Sequence, residues 1–167
     1  MNVAVDLAAM KFAWRPLQQT DLPQVDEIAA RVHPDLPEDP SVLAEKLALY
    51  PSGCFAFAWG EKLNGYLFSH PWRGVPKLNT KLVVIPVDAD AYYIHDLALL
   101  PGARGMQAGT QIVQHLATTK HAEGFPRMAL VAVYNSVPFW KRQGFQLTDR
   151  IITGYGGKAH YMLRELI

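Results

Sequence analysis

Residues 93–109, YIHDLALLPGARGMQAG, constrain this chain more than any other stretch. An apolar run holding two polar residues, His95 and Asp96, breaks at Pro101-Gly102 and gives way to a glycine-flanked basic turn. In the next stretch, 110–124, Ile112, Val113, Leu116 and Ala117 recur at helical spacing on one face. A strand, a glycine-rich turn and a helix in that order leave the first helical amides without internal partners. The helix dipole favours an anion at the same end. Arg104 adds a fixed positive charge at the mouth of the turn. The expected ligand carries phosphates.

Two familiar phosphate loops are excluded. No GxxxxGK[ST] occurs, so a nucleoside-triphosphate loop has no support. The turn lacks GxGxxG, and no acidic residue on a following strand is placed to hold a ribose.

Composition narrows the class further. The 167 residues suit one domain, 1–167, with a core of its own. Half of them are hydrophobic and 19% are charged, which rules out a disordered or fibrous chain. A formal net charge of +1 argues against a nucleic-acid binder. The single Cys54 excludes an internal disulfide framework and suits a reducing compartment. Residues 1–10 are apolar but short, without a basic start or cleavage site, and no span reaches membrane-crossing length. The expected location is cytoplasmic.

Patterning supplies the remaining elements. Residues 12–17 read as a first strand ended by Pro16. Thr20 is placed to cap a helix whose inner face is Leu22, Val25, Ile28, Ala29 and Val32. Asp39-Pro40 marks a second helix start, with Leu43, Leu47 and Tyr50 inward. Residues 54–59 and 65–68 read as a hairpin around 60–64. The segment 70–90 is irregular, with a short extra strand expected at 81–85. Residues 127–133, RMALVAV, form a continuous apolar run, as a strand buried on both faces requires. Helices after the first strand and one later crossover helix indicate a mixed sheet, not a doubly wound one.

Three motifs together resemble the GNAT acetyltransferases. Residues 104–109, RGMQAG, resemble the acetyl-CoA loop [RQ]-x-x-G-x-[GA], with Gln107 standing where the family has its central glycine. Asn135 follows the apolar strand, and 139–145, FWKRQGF, matches [FL]-[YW]-x-[KR]-x-G-F. Residues 161–166, YMLREL, are similar to the final strand of many members. The resemblance covers roughly residues 91–167 and implies an α/β GNAT fold. That fold is a central mixed, mostly antiparallel sheet of about six to seven strands flanked by about four helices. It also implies that the strand ending near Leu99 and the strand 127–133 splay apart, with the pantetheine arm of acetyl-CoA in the gap. The implied cofactor contacts are Leu97, Ala98 and Leu99, then Arg104, Gly105, Met106, Gln107, Ala108, Gly109 and Thr110, and finally Asn135 and Trp140.

Acyl transfer from a thioester to an amine needs a base, an oxyanion donor and a leaving thiolate. An alkyl amine is neutral in only about one molecule per thousand at pH 7, so the base matters most. His95 is the first candidate, because it stands where many family members carry a carboxylate and an imidazole titrates near neutrality. Asp96 is the second, but alternation along a strand sends the two side chains to opposite faces. Either residue has a structural reading too, satisfying neighbouring backbone groups. The implied oxyanion donor is the backbone N–H of Leu97.

Trp140 replaces a tyrosine that protonates the leaving thiolate in many relatives, and an indole cannot do so. Its packing role is the plainer reading, and Tyr92, Tyr93, Tyr134 and Tyr155 are nearby substitutes. No histidine or cysteine spacing marks a metal site. Arg73, Lys77 and Lys81 form a basic loop, and Asp35, Glu38 and Asp39 an acidic one, both read as solvated. The expected reaction is N-acetylation of a primary amine by direct attack. The acceptor is read as a small molecule or amino acid, without membrane or nucleic-acid partners, and a homodimer is compatible with the reading. The competing expectation is a non-catalytic CoA-binding or ligand-sensing protein of the same fold, favoured by Gln107 and Trp140.

Overall fold

The computed structural model describes residues 11–167, so the reading of 1–10 lies outside the described residues. Seven strands form one sheet in the order β1-β2-β3-β4-β5-β7-β6. They are β1 (Ala13–Pro16), β2 (Cys54–Trp59), β3 (Lys62–Trp72), β4 (Ala91–Leu99), β5 (Arg127–Ala132), β6 (Gln146–Ile152) and β7 (Ala159–Glu165). Every neighbouring pair is antiparallel except β4 and β5. Five helices cover the sheet: α1 (Leu22–Val32), α2 (Pro40–Leu49), α3 (Pro101–Arg104), α4 (Ala108–Ala122) and α5 (Val137–Arg142). This is the mixed, mostly antiparallel architecture expected from the sequence.

Alternation along the strands divides the core between two faces. Ala56, Ala58, Tyr66, Phe68 and Ala98 meet Val25, Ile28 and Leu43 of α1 and α2. Leu67, Tyr92, Ile94, Met128 and Leu130 meet Ile112, Val113 and Leu116 of α4, with Trp140 and Phe145 beside them. Each fully buried Val, Leu, Ile, Phe or Met among them contributes about 1.5–3 kcal/mol relative to exposure. The sheet is therefore clamped from both sides.

Several local expectations are corrected. Thr20 does not cap α1; it sits in a 3-10 turn, Gln19–Asp21, in which the Asp21 carboxylate accepts from the Gln18 amide at 2.8 Å. The hairpin turns more tightly than expected, at Gly60 and Glu61, and β3 runs on through Pro71 to Trp72. Proline is tolerated there because β2 pairing stops at Phe68, leaving an open edge beyond it. The strand expected at 81–85 is absent. Val83 takes a left-handed φ of 69°, as Asn79 does at 53°, and the amides of Leu82 and Val83 donate instead to the Glu45 carboxylate. The cap at Asp39 is as expected: its side chain accepts from the Ser41 amide at 2.9 Å, with Pro40 opening α2.

Two features of β4 set up the site. It pairs with β5 only at Tyr92–Met128 and Tyr93–Ala129, so beyond Tyr93 the two strands part. In addition, Phe68 of β3 faces Asp96 while Ser69 faces Ile94, so His95 is the extra residue of a β-bulge. A bulge suspends alternation and re-aims side chains.

Candidate active site

The parted strands open a cavity of about 590 Å³. Ile94, His95, Asp96, Leu97 and Leu99 line it from β4, and Leu130, Val131 and Val133 from β5 and its exit. One end is closed by Arg104, Gln107, Gly109 and Thr110, with Ser136, Phe139, Trp140, Arg142 and Gln143 of the α5 region. The other end is walled by His33, Leu36, Glu38, Leu78, Tyr134 and Tyr155, drawn from four separate connections.

The first end is built around the start of α4. The helix begins where the Gln111 amide donates to Gln107 O at 3.0 Å, so the amides of Ala108, Gly109 and Thr110 precede the first helical rung. The Trp14 indole donates to Ala108 O at 2.8 Å and pins this end to β1. Gly109 is required by close approach, since a Cβ there would lie 2.9 Å from Phe139 Cζ. The Gln143 side chain ties α5 to Thr110 Oγ1 at 3.1 Å. Arg104 donates from Nε to Leu99 O at 3.3 Å and keeps its guanidinium at the cavity wall.

Gln107 departs from expectation. The sequence reading allowed it ordinary helical dihedrals, but its φ is 56° and its ψ 24°. A side chain in that left-handed conformation is strained, and a glycine there would not be.

Of the expected cofactor residues, Leu97, Leu99, Arg104, Gln107, Gly109, Thr110 and Trp140 line the cavity. Ala98 and Ala108 point into the packed core, Met106 packs beside Ala103, and Gly105 continues the α3 turn. Asn135 is exposed and outside the cavity wall, holding the turn after β5 with a φ of 59°. Trp140 stacks edge-on against Phe139 and Phe145 at 4.9 and 5.5 Å, so its packing role is plain. Tyr92 and Tyr93 are core residues, whereas Tyr134 and Tyr155 reach the cavity.

The second end holds two histidine–carboxylate pairs. His95 Nε2 lies 3.0 Å from Glu38 Oε1, and both side chains are more than nine-tenths buried. His33 Nε2 lies 2.8 Å from Asp96 Oδ1, and the Tyr66 hydroxyl donates to Asp96 Oδ2 at 2.7 Å. The bulge overturns the expectation that His95 and Asp96 face apart. Each finds its partner in the α1–α2 connection, so both lie on that side of the sheet. Glu38, expected to be solvated, is instead a buried partner of His95, with Lys46 Nζ 3.9 Å away.

The electrostatics follow from burial set against pairing. Burial alone would raise the Glu38 and Asp96 carboxyls, but hydrogen bonds from His95 and from His33 hold each below its ordinary value. Burial pulls His33 down, yet the Asp96 bond and charge outweigh it and raise His33. Behind them, burial and the neighbouring His95 drive His70 down to about 3. Cys54 lies outside the cavity, and burial pushes its thiol up to about 12, which makes it a poor nucleophile.

Sequence reasoning missed His33 and Glu38 as site residues. A usable signal existed: two polar residues inside an apolar strand demand buried partners, and 33–39 is a proline-held connection carrying both partner types. Among the described residues no group of histidine, cysteine and acidic side chains is arranged to hold a metal, and no helix is long and apolar enough to cross a membrane.

Known structures share this architecture. The loading GNATL domain of CurA from Lyngbya majuscula superposes with a TM-score of 0.80 at 11% identity, over 93% of this chain and 98% of that one. The GphF GNAT-like decarboxylase in complex with isobutyryl-CoA gives 0.76 at 15% identity, over 93% and 100%. The ribosomal-protein-S18-alanine N-acetyltransferase from Escherichia coli gives 0.67 at 15% identity, over 93% and 94%. At such identities these likenesses speak to fold alone. No curated protein matches the chain by sequence. The sequence profile of the acetyltransferase (GNAT) family, however, matches residues 14–145, which span both ends of the cavity. With that match, the parted β4 and β5 and the α4 turn between them, the chain belongs to the acetyltransferase (GNAT) family of acyl-transferring enzymes.

Proposed function

We propose that this enzyme transfers an acetyl group from acetyl-CoA to a primary amine by direct attack, with His95 as the general base. The observation that carries the reading is one continuous cavity with a phosphate-suited turn at one end and a buried His95–Glu38 pair at the other. The residues fit CoA: unpaired β4 edge beyond Tyr93, open amides at 108–110, and the guanidinium-bearing Arg104 and Arg142 at the wall. When bound, acetyl-CoA would supply a thioester carbonyl carbon open to attack by the amine, with the CoA thiolate as leaving group.

Glu38 accepts from His95 Nε2, because a carboxylate cannot donate. That fixes the ring tautomer and leaves the lone pair on Nδ1, which has no partner among the described residues. Nδ1 takes the proton that the amine must shed. The backbone N–H of Leu97 stabilises negative charge developing on the thioester carbonyl. A free thiol has a pKa of roughly 8.5, so its thiolate leaves without the tyrosine that Trp140 replaces. The inert Cys54 favours direct attack over an acyl-enzyme.

The test is thiol release from acetyl-CoA against a panel of primary amines, beside calorimetric titration of acetyl-CoA. Release with at least one amine supports transfer. Acetyl-CoA binding without release across the panel would instead support the sensing role.

A further inference from the structure

At the end of the cavity away from Arg104, every carboxylate is already matched by a histidine: Glu38 by His95, and Asp96 by His33. Among the described residues no carboxylate is left over there to grip an ammonium group. What is left over are two ring nitrogens, His95 Nδ1 and His33 Nδ1, both buried and both without a hydrogen-bond partner among the described residues. Buried polar atoms are rarely left so, and an unmade bond to one is costly.

The two nitrogens are held in fixed positions. His33 caps the C-terminus of α1, where its amide donates to Ala29 O at 2.8 Å. Its ring stacks on Tyr134 at 5.7 Å and 12°. Tyr134 itself takes a φ of 51° and accepts from the Asp35 amide at 3.1 Å, so the strained β5 exit and the α1–α2 connection hold each other. The Asp96 carboxylate accepts only, so His33 Nε2 carries a hydrogen. The same carboxylate and the helix C-terminus both favour a proton on His33 Nδ1 as well. With that second proton in place His33 Nδ1 offers an N–H, whereas His95 Nδ1, in its role as base, offers a lone pair.

We propose that the acceptor is an α-amino carbonyl compound with an apolar side chain, and that His33 Nδ1 holds its carbonyl or carboxylate oxygen while His95 Nδ1 meets its amino group. Leu36, Leu78 and Tyr155 supply the apolar wall for the side chain. The inference rests on the acyl-transfer reading, because it takes His95 as the group that meets the amine. His33 is a specificity residue in this account, with no part in proton transfer.

The experiment compares three probes of one shape: phenylalanine, phenylalaninamide and phenethylamine, which lacks the carbonyl. Each is titrated calorimetrically into the CoA-loaded protein, and each is assayed for thiol release from acetyl-CoA. The key variant is His33→Gln. Glutamine Nε2 can keep the bond to Asp96 that stabilises the fold, but it has no donor at the Nδ1 position. His33→Asn is the converse, with an amide near Nδ1 and no reach to Asp96.

Wild type is expected to bind both carbonyl-bearing probes at least about tenfold more tightly than phenethylamine, as a bond to a charged donor warrants. His33→Gln should erase that preference, the loss falling on KM for the two carbonyl-bearing probes more than on kcat and more than on phenethylamine, and His33→Asn should restore part of it. Equal or undetectable binding of all three by wild type overturns the proposal, as does equal loss of all three in His33→Gln. Discrimination without thiol release leaves His33 as the anchor and overturns the transferase reading. Release without discrimination does the reverse.

Discussion

The two ends of the cavity offer a ligand different physical means of recognition. The Arg104–Thr110 end relies on backbone: open amides ahead of the first α4 rung and the unpaired edge of β4. Its side chains mainly hold that backbone in place, as Gly109 does against Phe139. The other end relies on side chains brought from distant positions, His33 and Asp96 being 63 positions apart in sequence and Glu38 and His95 57. Backbone recognition tolerates substitution as long as the chain path survives, which is why Gln107 can occupy a left-handed position. Side-chain recognition changes with a single residue. On the proposed reading a shared cofactor belongs at the first end and acceptor specificity at the second.

The largest expected effect separates the two ends. His95→Ala should lower turnover about a hundredfold at neutral pH, the middle of the range for a lost general base, and leave acetyl-CoA affinity unchanged. The loss should shrink at high pH, where the free amine is abundant. Parallel loss of turnover and acetyl-CoA binding would erase the division. Next, Arg104→Glu should weaken acetyl-CoA more than about tenfold by setting a negative charge beside the phosphates, with thermal stability unmoved because Arg104 is exposed. Calorimetry and a thermal melt check both halves.

A smaller effect concerns stability. Glu38→Gln should cost about 1–3 kcal/mol at neutral pH, since His95 loses a charged partner but keeps an amide oxygen. The Glu38 and Asp96 carboxyls sit below their ordinary values when folded, so their contribution is present above about pH 4 and lost as pH falls through the folded values. His33 is raised, so its contribution is full below about pH 6.5 and lost as pH rises through its folded value. Melts between pH 3 and 9 should show both declines, the acid one shallower in Glu38→Gln. The smallest effect is at Gln107. Gln107→Gly should stabilise by roughly 1 kcal/mol or less, relief of the left-handed φ being partly offset by glycine's backbone entropy, and leave acetyl-CoA affinity within about threefold.

The same contrast explains what the sequence disclosed. The Arg104–Thr110 end was legible because strand, turn and helix are contiguous, and the spacing of Arg104, Gly105 and Gly109 carries the family resemblance. The apolar periods of α1, α4 and β5 were legible because each buries one regular face. The bulge at His95 was not, because alternation carries no mark of an inserted residue. The pairing of Glu38 with His95 was not, because no local rule links residues in a loop to a strand so far along the chain. The missing strand at 81–85 shows the converse failure: its apolar run met the local rule, but no neighbour was present to pair with it.

Amide chemical shifts followed through an acetyl-CoA titration test the division most directly. The account predicts that the largest perturbations fall on Leu97–Leu99 and on residues 104–110, while those of 33–39 and 153–158 move little. Strongest perturbation in 33–39 or 153–158, with 104–110 unmoved, would contradict it.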